Sequence, residues 1–354
     1  MSSRFRENLE EALFPPFVAL LVALICGDLL IMSYGQPPAT VYKLLLEGTW
    51  GNAYGFGQVL YKATTLTFTG LAVSLGIRAG LFNVGAESQL AAGGFLAALV
   101  GLGLSPSVPT VVGIPLCMIA AALGGGIVGA IPAFLRVKFV AHEVIVTIML
   151  NFVVLAFLNW MIATHLHVPE TLHTPDIHTG AIPRLSSIFP AFHGSAANFT
   201  ILIALLAAFA VWFLLFRTRR GYELRAVGLQ PDAAEYGGVN VRGVWFRALT
   251  WSGAVAGLGG INYVLGYKHY YEDGFAGGSG FLGIAVALVG RNHPLGVVLA
   301  ALFFATLSQG GLAIHAFVPK QMVEVLQGVV IIAVAMSVPE VRAALRSARR
   351  PAAA

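Results

Sequence analysis

Residues 78–94 read RAGLFNVGAESQLAAGG and set Asn83, Glu87 and Gln89 within seven residues of one another, between long apolar runs. A carboxylate and two carboxamides are costly in hydrocarbon unless they pair, bond to backbone or face water. The chemistry open to them is bonding between helices or the lining of a polar passage. Farther along, Glu143, Thr147 and Asn151 recur every four residues, which puts them on one helix face. That face starts beside Arg136 and Lys138, so Glu143 reads as a first-turn carboxylate paired with a cation. Asn151 lies about 12 Å farther along at 1.5 Å per residue and is the better placed of the two to meet cargo.

What Glu87 can do depends on where its helix begins. For a span starting at residue 81, Glu87 would lie about 9 Å inside. Asn83 would then cap the helix, and Glu87 would sit near its positive end. Two readings stay open for Glu87: a pair with Arg78, or a place on an inner gate. Gln89 faces another way and reads as interhelical glue. Gly80, Gly85, Ala86, Ser88, Gly93 and Gly94 let neighbouring backbones approach closely.

These residues need an apolar scaffold around them. Of 354 residues, 57% are hydrophobic and 10% charged, and the mean hydropathy is +0.81. A soluble domain carries about 25% charged residues, so this surface is built for a bilayer. Apolar runs cover 14–34, 60–77, 81–103, 109–135, 140–163, 199–216, 246–266, 280–290, 295–314 and 321–338. They predict an all-α, polytopic membrane protein of about ten transmembrane helices, read as one membrane domain over 1–354. The run 280–290 is short and glycine-flanked, which predicts a broken or half-crossing span. The first run ends without a small-residue cleavage site, so it reads as an uncleaved span. Cys26 and Cys117 lie in apolar runs and read as packing residues.

With a cytoplasmic N-terminus, the inner side collects 16 of the 21 Lys and Arg residues, among them Arg78, Arg136, Arg217, Arg225 and Arg291. The outer side keeps Lys43, Lys62, Arg184, Lys268 and Lys320. This bias predicts both termini in the cytoplasm, with 1–13 and the basic tail 339–354 inside. The net charge of +5 is thus a membrane signal and implies no nucleic acid partner. The tail arginines read as anchors to membrane lipid.

Two connectors are long. The outward one, 164–198, holds His165, His167, His173, His178 and His193. Their spacing fits no metal site, and the segment reads as a polar loop beneath a partner. The inward one, 217–245, contains Leu229, Gln230, Pro231, Asp232, Ala233, Ala234, Glu235, Tyr236, Gly237 and Gly238. This stretch predicts a very short helix. Pro231 suits its first position, Asp232 its positive end, and Gly237 with Gly238 its stop. It reads as a rigid peg pressed on a soluble partner, small Ala233 and Ala234 allowing close contact, or as an amphipathic turn on the membrane.

No phosphate loop, HExxH or GxSxG motif is present. Uphill movement would need an ion gradient or another chain. The segments LFNVGAESQLAAGGFLAALVG, HEVIVTIMLNFV, GYELRAVGLQPDAAEYGGVNV and GFLGIAVALVGRNHPLG resemble, in this order, the permease subunits of bacterial ABC importers. More narrowly they resemble the nucleoside-type branch of the branched-chain amino acid and ribose permeases, over roughly 60–310. The resemblance implies a multi-pass inner-membrane subunit that imports a nucleoside or another small polar solute and is not itself an enzyme. It implies a second, related permease, cytoplasmic ATPase subunits that hold ATP and Mg, and an extracytoplasmic solute-binding lipoprotein. The chain itself would hold no cofactor. It also implies a coupling helix, which would fall on 229–238. Ser88 stands where the family usually has Gly, and Gln230 where an Asn often caps the coupling helix. Two other classes remain for comparison. An ion-coupled secondary transporter would want a charged midplane residue, and the apolar runs carry almost none. A membrane enzyme would want a converging nucleophile, base or metal set.

Overall fold

The computed structural model describes residues 21, 24–319 and 321–333. Among these the protein is helical, with isolated bridges His173–Glu272 and Arg184–Asn198 as its extended pairings. The helices are α1 (Leu24–Ser33), α2 (Pro38–Thr49), α3 (Ala53–Arg78), α4 (Ala86–Gly103), α5 (Thr110–Phe139) and α6 (Glu143–Met161). They continue as α7 (Thr200–Arg217), α8 (Arg219–Leu229), α9 (Pro231–Tyr236), α10 (Val241–Leu258), α11 (Ile261–Tyr263), α12 (Ser279–Val289), α13 (Pro294–Ala313) and α14 (Gln321–Ala333). Five are long and apolar enough to cross a membrane: α4, α5, α6 with its continuation to Leu166, α7 and α13. The segments 1–13 and 339–354, the start of the first expected span, and Lys320 lie outside the described residues.

The chain divides into two compact units, Met1–Asn52 with Thr306–Ala354, and Ala53–Ala305. In the first, Ile31, Val41, Ile314, Val318 and Val323 form a small buried core. The Trp50 indole donates to the Thr306 hydroxyl at 3.1 Å. Cys26 and Cys117 are free.

The second unit is built around α3, which is buried along most of its length. The helix carries hydroxyls into this interior without stranding them. Thr64 and Thr67 donate back to the carbonyls of Leu60 and Ala63, each at 2.8 Å. Against it lie α10 and α12, and α10 in turn packs on α4 and α5 through small residues. A Cβ on Gly253 would collide with the backbone of Gly125, and a Cβ on Gly257 with that of Ala121. The helices therefore touch backbone to backbone, the arrangement that small residues allow where no hydrophobic effect drives helices together.

The structure corrects several expected boundaries. Run 60–77 belongs to a longer α3 that begins at Ala53. Run 81–103 is helical only from Ala86. Run 246–266 breaks after Leu258, where a Cβ on Gly260 would strike the backbone of Gly94. It resumes as α11 and a π-turn over Val264–Lys268. The expected short span 280–290 is α12.

Replacement of Gly253 by Leu should force α10 off α5. Overpacking of this kind costs about 1–3 kcal/mol or more. The expected outcome is a lowered unfolding midpoint or loss of folded protein in detergent. Gly103→Ala, whose new methyl meets nothing within 4 Å, should leave the midpoint unchanged.

Candidate functional site

Between α3 and α4 the backbone leaves the helix in the buried interior. Gly80, at φ +76°, ends α3 by a turn that glycine adopts without strain. Residues 79–85 together form a short non-helical strap. A buried backbone group without a partner costs about 1–3 kcal/mol, so the strap must be satisfied from outside itself. The partners come from α6. Val84 N donates to Thr147 Oγ1 at 3.3 Å, and Asn151 Nδ2 donates to Val84 O at 3.0 Å. Ser88 N donates to Asn151 Oδ1 at 3.1 Å. The stripe of Thr147 and Asn151 is thus a clamp on a helix break, and both ends of the Asn151 amide are occupied by backbone.

Asn83 and Gln89 form the second clamp. Asn83 Nδ2 donates to Gln89 Oε1 at 2.7 Å and to Ser252 Oγ at 2.8 Å. Asn83 Oδ1 accepts from Gly85 N at 2.9 Å and from Gln89 Nε2 at 3.2 Å. Ser252 in turn donates to Ala72 O at 2.6 Å, so one chain of bonds joins α3, the strap, α4 and α10. Asn83 therefore satisfies the turn before α4 and is not its N-cap, a position held by Gly85. The Ser88 hydroxyl bonds Gly85 O at 3.0 Å.

Glu87 does not pair with Arg78. Its carboxylate accepts from Gly278 N at 2.8 Å and Gly280 N at 2.6 Å, the first N–H groups of α12. Gly278 has φ +82° and provides no side chain to cap that helix, so Glu87 caps it from α4. Gly280 must be glycine, because a Cβ there would collide with the Glu87 backbone. Arg78 works at the opposite end of α12, where its Nε donates to Asn292 O at 2.9 Å. At 11 residues, α12 is about 16 Å long, half of a hydrocarbon core about 30 Å thick. An anion at its N-terminus and a cation at its C-terminal turn both oppose its dipole. Glu143 pairs with Arg136 at 3.6 Å, as the spacing predicted.

A second polar cluster escaped sequence reasoning. Asn262 Nδ2 donates to Tyr61 O at 2.9 Å and Thr65 Oγ1 at 2.8 Å, and Asn198 Nδ2 donates to Asn262 Oδ1 at 3.0 Å. Half-buried rings gather beside it: Tyr61 on Tyr267 at 5.3 Å, Tyr263 on Phe275 at 4.9 Å, and the Arg184 guanidinium over Tyr267 at 5.2 Å. The Tyr263 hydroxyl bonds Glu272. The available signal was tyrosine density: four of the chain's ten tyrosines lie within 263–271. The histidine loop covers this region. His173 stacks on Tyr270 at 4.3 Å, and Ile177 N donates to His269 O at 2.7 Å. Among the described residues no three His, Cys, Asp or Glu side chains come together as a metal set.

The peg is α9. Pro231 occupies its first turn, Gln230 makes no side-chain cap, and Gly237 ends it. Ala234 is buried against the chain itself, while Leu229 is 86% and Tyr236 97% exposed. The face open to a partner is therefore Leu229, Ala233 and Tyr236, not Ala234. Just before it, Gly228 of α8 lies on the end of α3. A Cβ there would strike Arg78 O, and a Cβ on Gly80 would come within 3.3 Å of Gly228 Cα.

Asn151→Leu keeps the volume and removes both clamp bonds. It should lower the unfolding midpoint of the purified protein, by about 1–3 kcal/mol per orphaned backbone group. An unchanged midpoint with an altered uptake KM would instead make Asn151 a solute contact. Glu87→Gln sets an amide donor against the N–H groups of α12 and should lower transport while Arg78–Asn292 remains.

The chain matches, over residues 55–335, the family described as branched-chain amino acid transport system / permease component. It is 37% identical to the guanosine ABC transporter permease protein NupP of Bacillus subtilis, over 92% of this chain and 93% of that one. It is 31% identical to the nucleoside ABC transporter permease protein NupB of Lactococcus lactis, covering 93% and 92%. It is 34% identical to the glucose ABC transporter permease protein TsgB13 of Haloferax volcanii, covering 90% and 85%. No solved structure matches it significantly. With this match over most of its length, the chain belongs to the branched-chain amino acid transport system permease family: it is a membrane-embedded transport subunit of the ABC class, and not an enzyme.

Proposed function

We propose that this subunit forms the translocation path of an ATP-driven importer for nucleosides, with α12 as its moving element. The observation that carries the reading is the double clamp on α12: a half-length helix held at one end by Glu87 and at the other by Arg78, the two residues that flank the 79–85 strap. Discontinuous helices whose ends meet polar groups are how transporters build a path through hydrocarbon. The two carboxylates of the α4 and α6 helix starts are engaged, Glu87 by N–H groups and Glu143 by Arg136. That leaves an ATPase, rather than an ion carried by these residues, as the energy source.

The arrangement proposed is a single membrane domain of about ten spans with both termini cytoplasmic. The 217–245 arm then faces the cytoplasm. Its peg, 229–238, would seat on a cytoplasmic ATPase that binds ATP and Mg. A push on α9 reaches Gly228, then Arg78 and Gly80, and so the strap and α12. A second permease and an extracytoplasmic solute-binding lipoprotein complete the importer. Bacillus subtilis has a further guanosine permease protein, NupQ, 30% identical to this chain over 256 residues, which supports the pairing. For the solute, the rings of Tyr61, Tyr263, Tyr267 and Phe275 offer stacking faces for a base, and Asn83, Gln89, Thr147 and Asn151 hold the path's walls in place.

The test is uptake by the reconstituted importer. Guanosine should accumulate only with ATP inside, and glucose in excess should not compete. Uphill uptake by this chain alone under an imposed proton or sodium gradient would overturn the ATPase reading, and competition by glucose would overturn the solute. For the peg, Tyr236→Ala with Leu229→Asp should leave membrane levels unchanged, because both side chains face outward, and should reduce ATPase co-purification. Wild-type association would return 229–238 to a turn lying on the membrane.

A further inference from the structure

An apolar groove of about 400 Å³ runs between α7 and the start of α13, lined by Leu205, Phe209, Trp212, His293, Leu295 and Val298. On a membrane protein such a groove could be covered by lipid or by another helix, so its rim decides. One end is strongly cationic. The Arg217 guanidinium lies 5.5 Å from the Trp212 ring. His293 packs on Phe216 at 5.4 Å, and the same Phe216 ring takes Arg225 at 5.2 Å and Arg78 at 5.7 Å. None of these three arginines pairs with a carboxylate among the described residues. The acid on α8, Glu223, is committed to Arg219 and Arg247. Arg78 is spent on the carbonyl of Asn292, but Arg225 Nε is buried without any partner. The positive N-terminal end of α13 begins on the same rim, at Pro294.

Guanidinium groups gathered over aromatic faces repel one another, and a buried N–H without an acceptor is a standing cost. An anion bound beside them relieves both, and Arg meets a phosphate with two parallel bonds. The anion must also carry a long apolar tail, because the groove that opens from the cationic end offers no charged side chain and, besides His293 and the Trp212 indole, no polar one. We propose that this groove binds one anionic phospholipid, with an acyl chain along α7 and α13 and the phosphate on Arg217 and Arg225. The inference needs the chain to lie in a membrane and needs nothing of its solute. Phe216 and Arg78 connect the site to the C-terminal turn of α12, so the lipid would bear on the element proposed to move.

The purified importer, delipidated in detergent, is titrated with palmitoyl-oleoyl phosphatidylglycerol or with the corresponding phosphatidylcholine and read by native mass spectrometry. Wild type should retain the anionic lipid about tenfold better. Arg225→Gln, and separately the exposed and therefore well-tolerated Arg217→Gln, should reduce that preference to about twofold. Leu295→Trp, on an exposed position of the groove, should weaken both lipids and leave the arginines intact. Equal retention of the two lipids by wild type, or full preference in Arg217→Gln, overturns the proposal. Displacement of the phosphatidylglycerol by millimolar inorganic phosphate would show a free-anion site and also overturn it. So would a photo-crosslinking residue at Leu295 that captures the second permease in cells, since the groove would then be a subunit interface.

Discussion

A helix that stops inside an apolar interior strands its N–H and C=O groups where no water can reach them. The second unit contains two such stops in contact with each other, the strap at 79–85 and the start of α12, and one connected group of its buried polar residues follows from them. Thr147 and Asn151 exist on α6 because Val84 and Ser88 need partners. Asn83, Gln89 and Ser252 close the remaining groups of the turn. Glu87 sits in the first turn of α4 yet spends its charge on α12. Side chains that look, in sequence, like the lining of a passage here bond the backbone groups that these breaks expose.

The supports are arranged so that displacement at one place is felt at another. The strap shares bonds with α3, α4, α6 and α10. α12 is tied to α4 by Glu87 and to α3 by Arg78. α8 touches the α3 terminus through Gly228 with no side chain between the two backbones. Contacts of backbone on backbone have no rotamers to absorb a push. The glycine seam of Gly125, Gly253 and Gly257 sets α10 on α5 in the same way, backbone against backbone.

Much of this was legible in the chain. Hydropathy alone places α5, α6, α7 and α13 to within a few residues, and glycine flanks mark 280–290 as a half-length helix. The four-residue spacing of Glu143, Thr147 and Asn151 gives their common face, and Pro231 with Gly237 gives the ends of α9. What was not legible is what each polar atom touches. The strap could not be seen because residues 81–85 are as apolar as a helix, and nothing local says that α4 starts five residues late. The sequence offers Glu87 either a pair with Arg78, its near neighbour, or a place on an inner gate. Its real partners, Gly278 and Gly280, lie about two hundred residues away and have no side chains to announce them. The orientation of Ala234 fails for the same reason: a six-residue helix has too few positions to declare which face is buried.

Glu87 also shows why such a site can be both strong and movable. A carboxylate paired with an arginine inside an apolar region is held by a deep, local attraction, and separating the pair strands two charges. A carboxylate on the first N–H groups of a helix faces donors spread along the turn together with a distributed dipole. In the proposed movement of α12 it would pass from one N–H to the next, losing part of its stabilisation and not all. Arg78 on a backbone carbonyl has the same property at the other end. Capping α12 by side chains from other helices, rather than by its own residues, thus leaves the helix free to slide against its caps, which a covalently built-in cap would forbid.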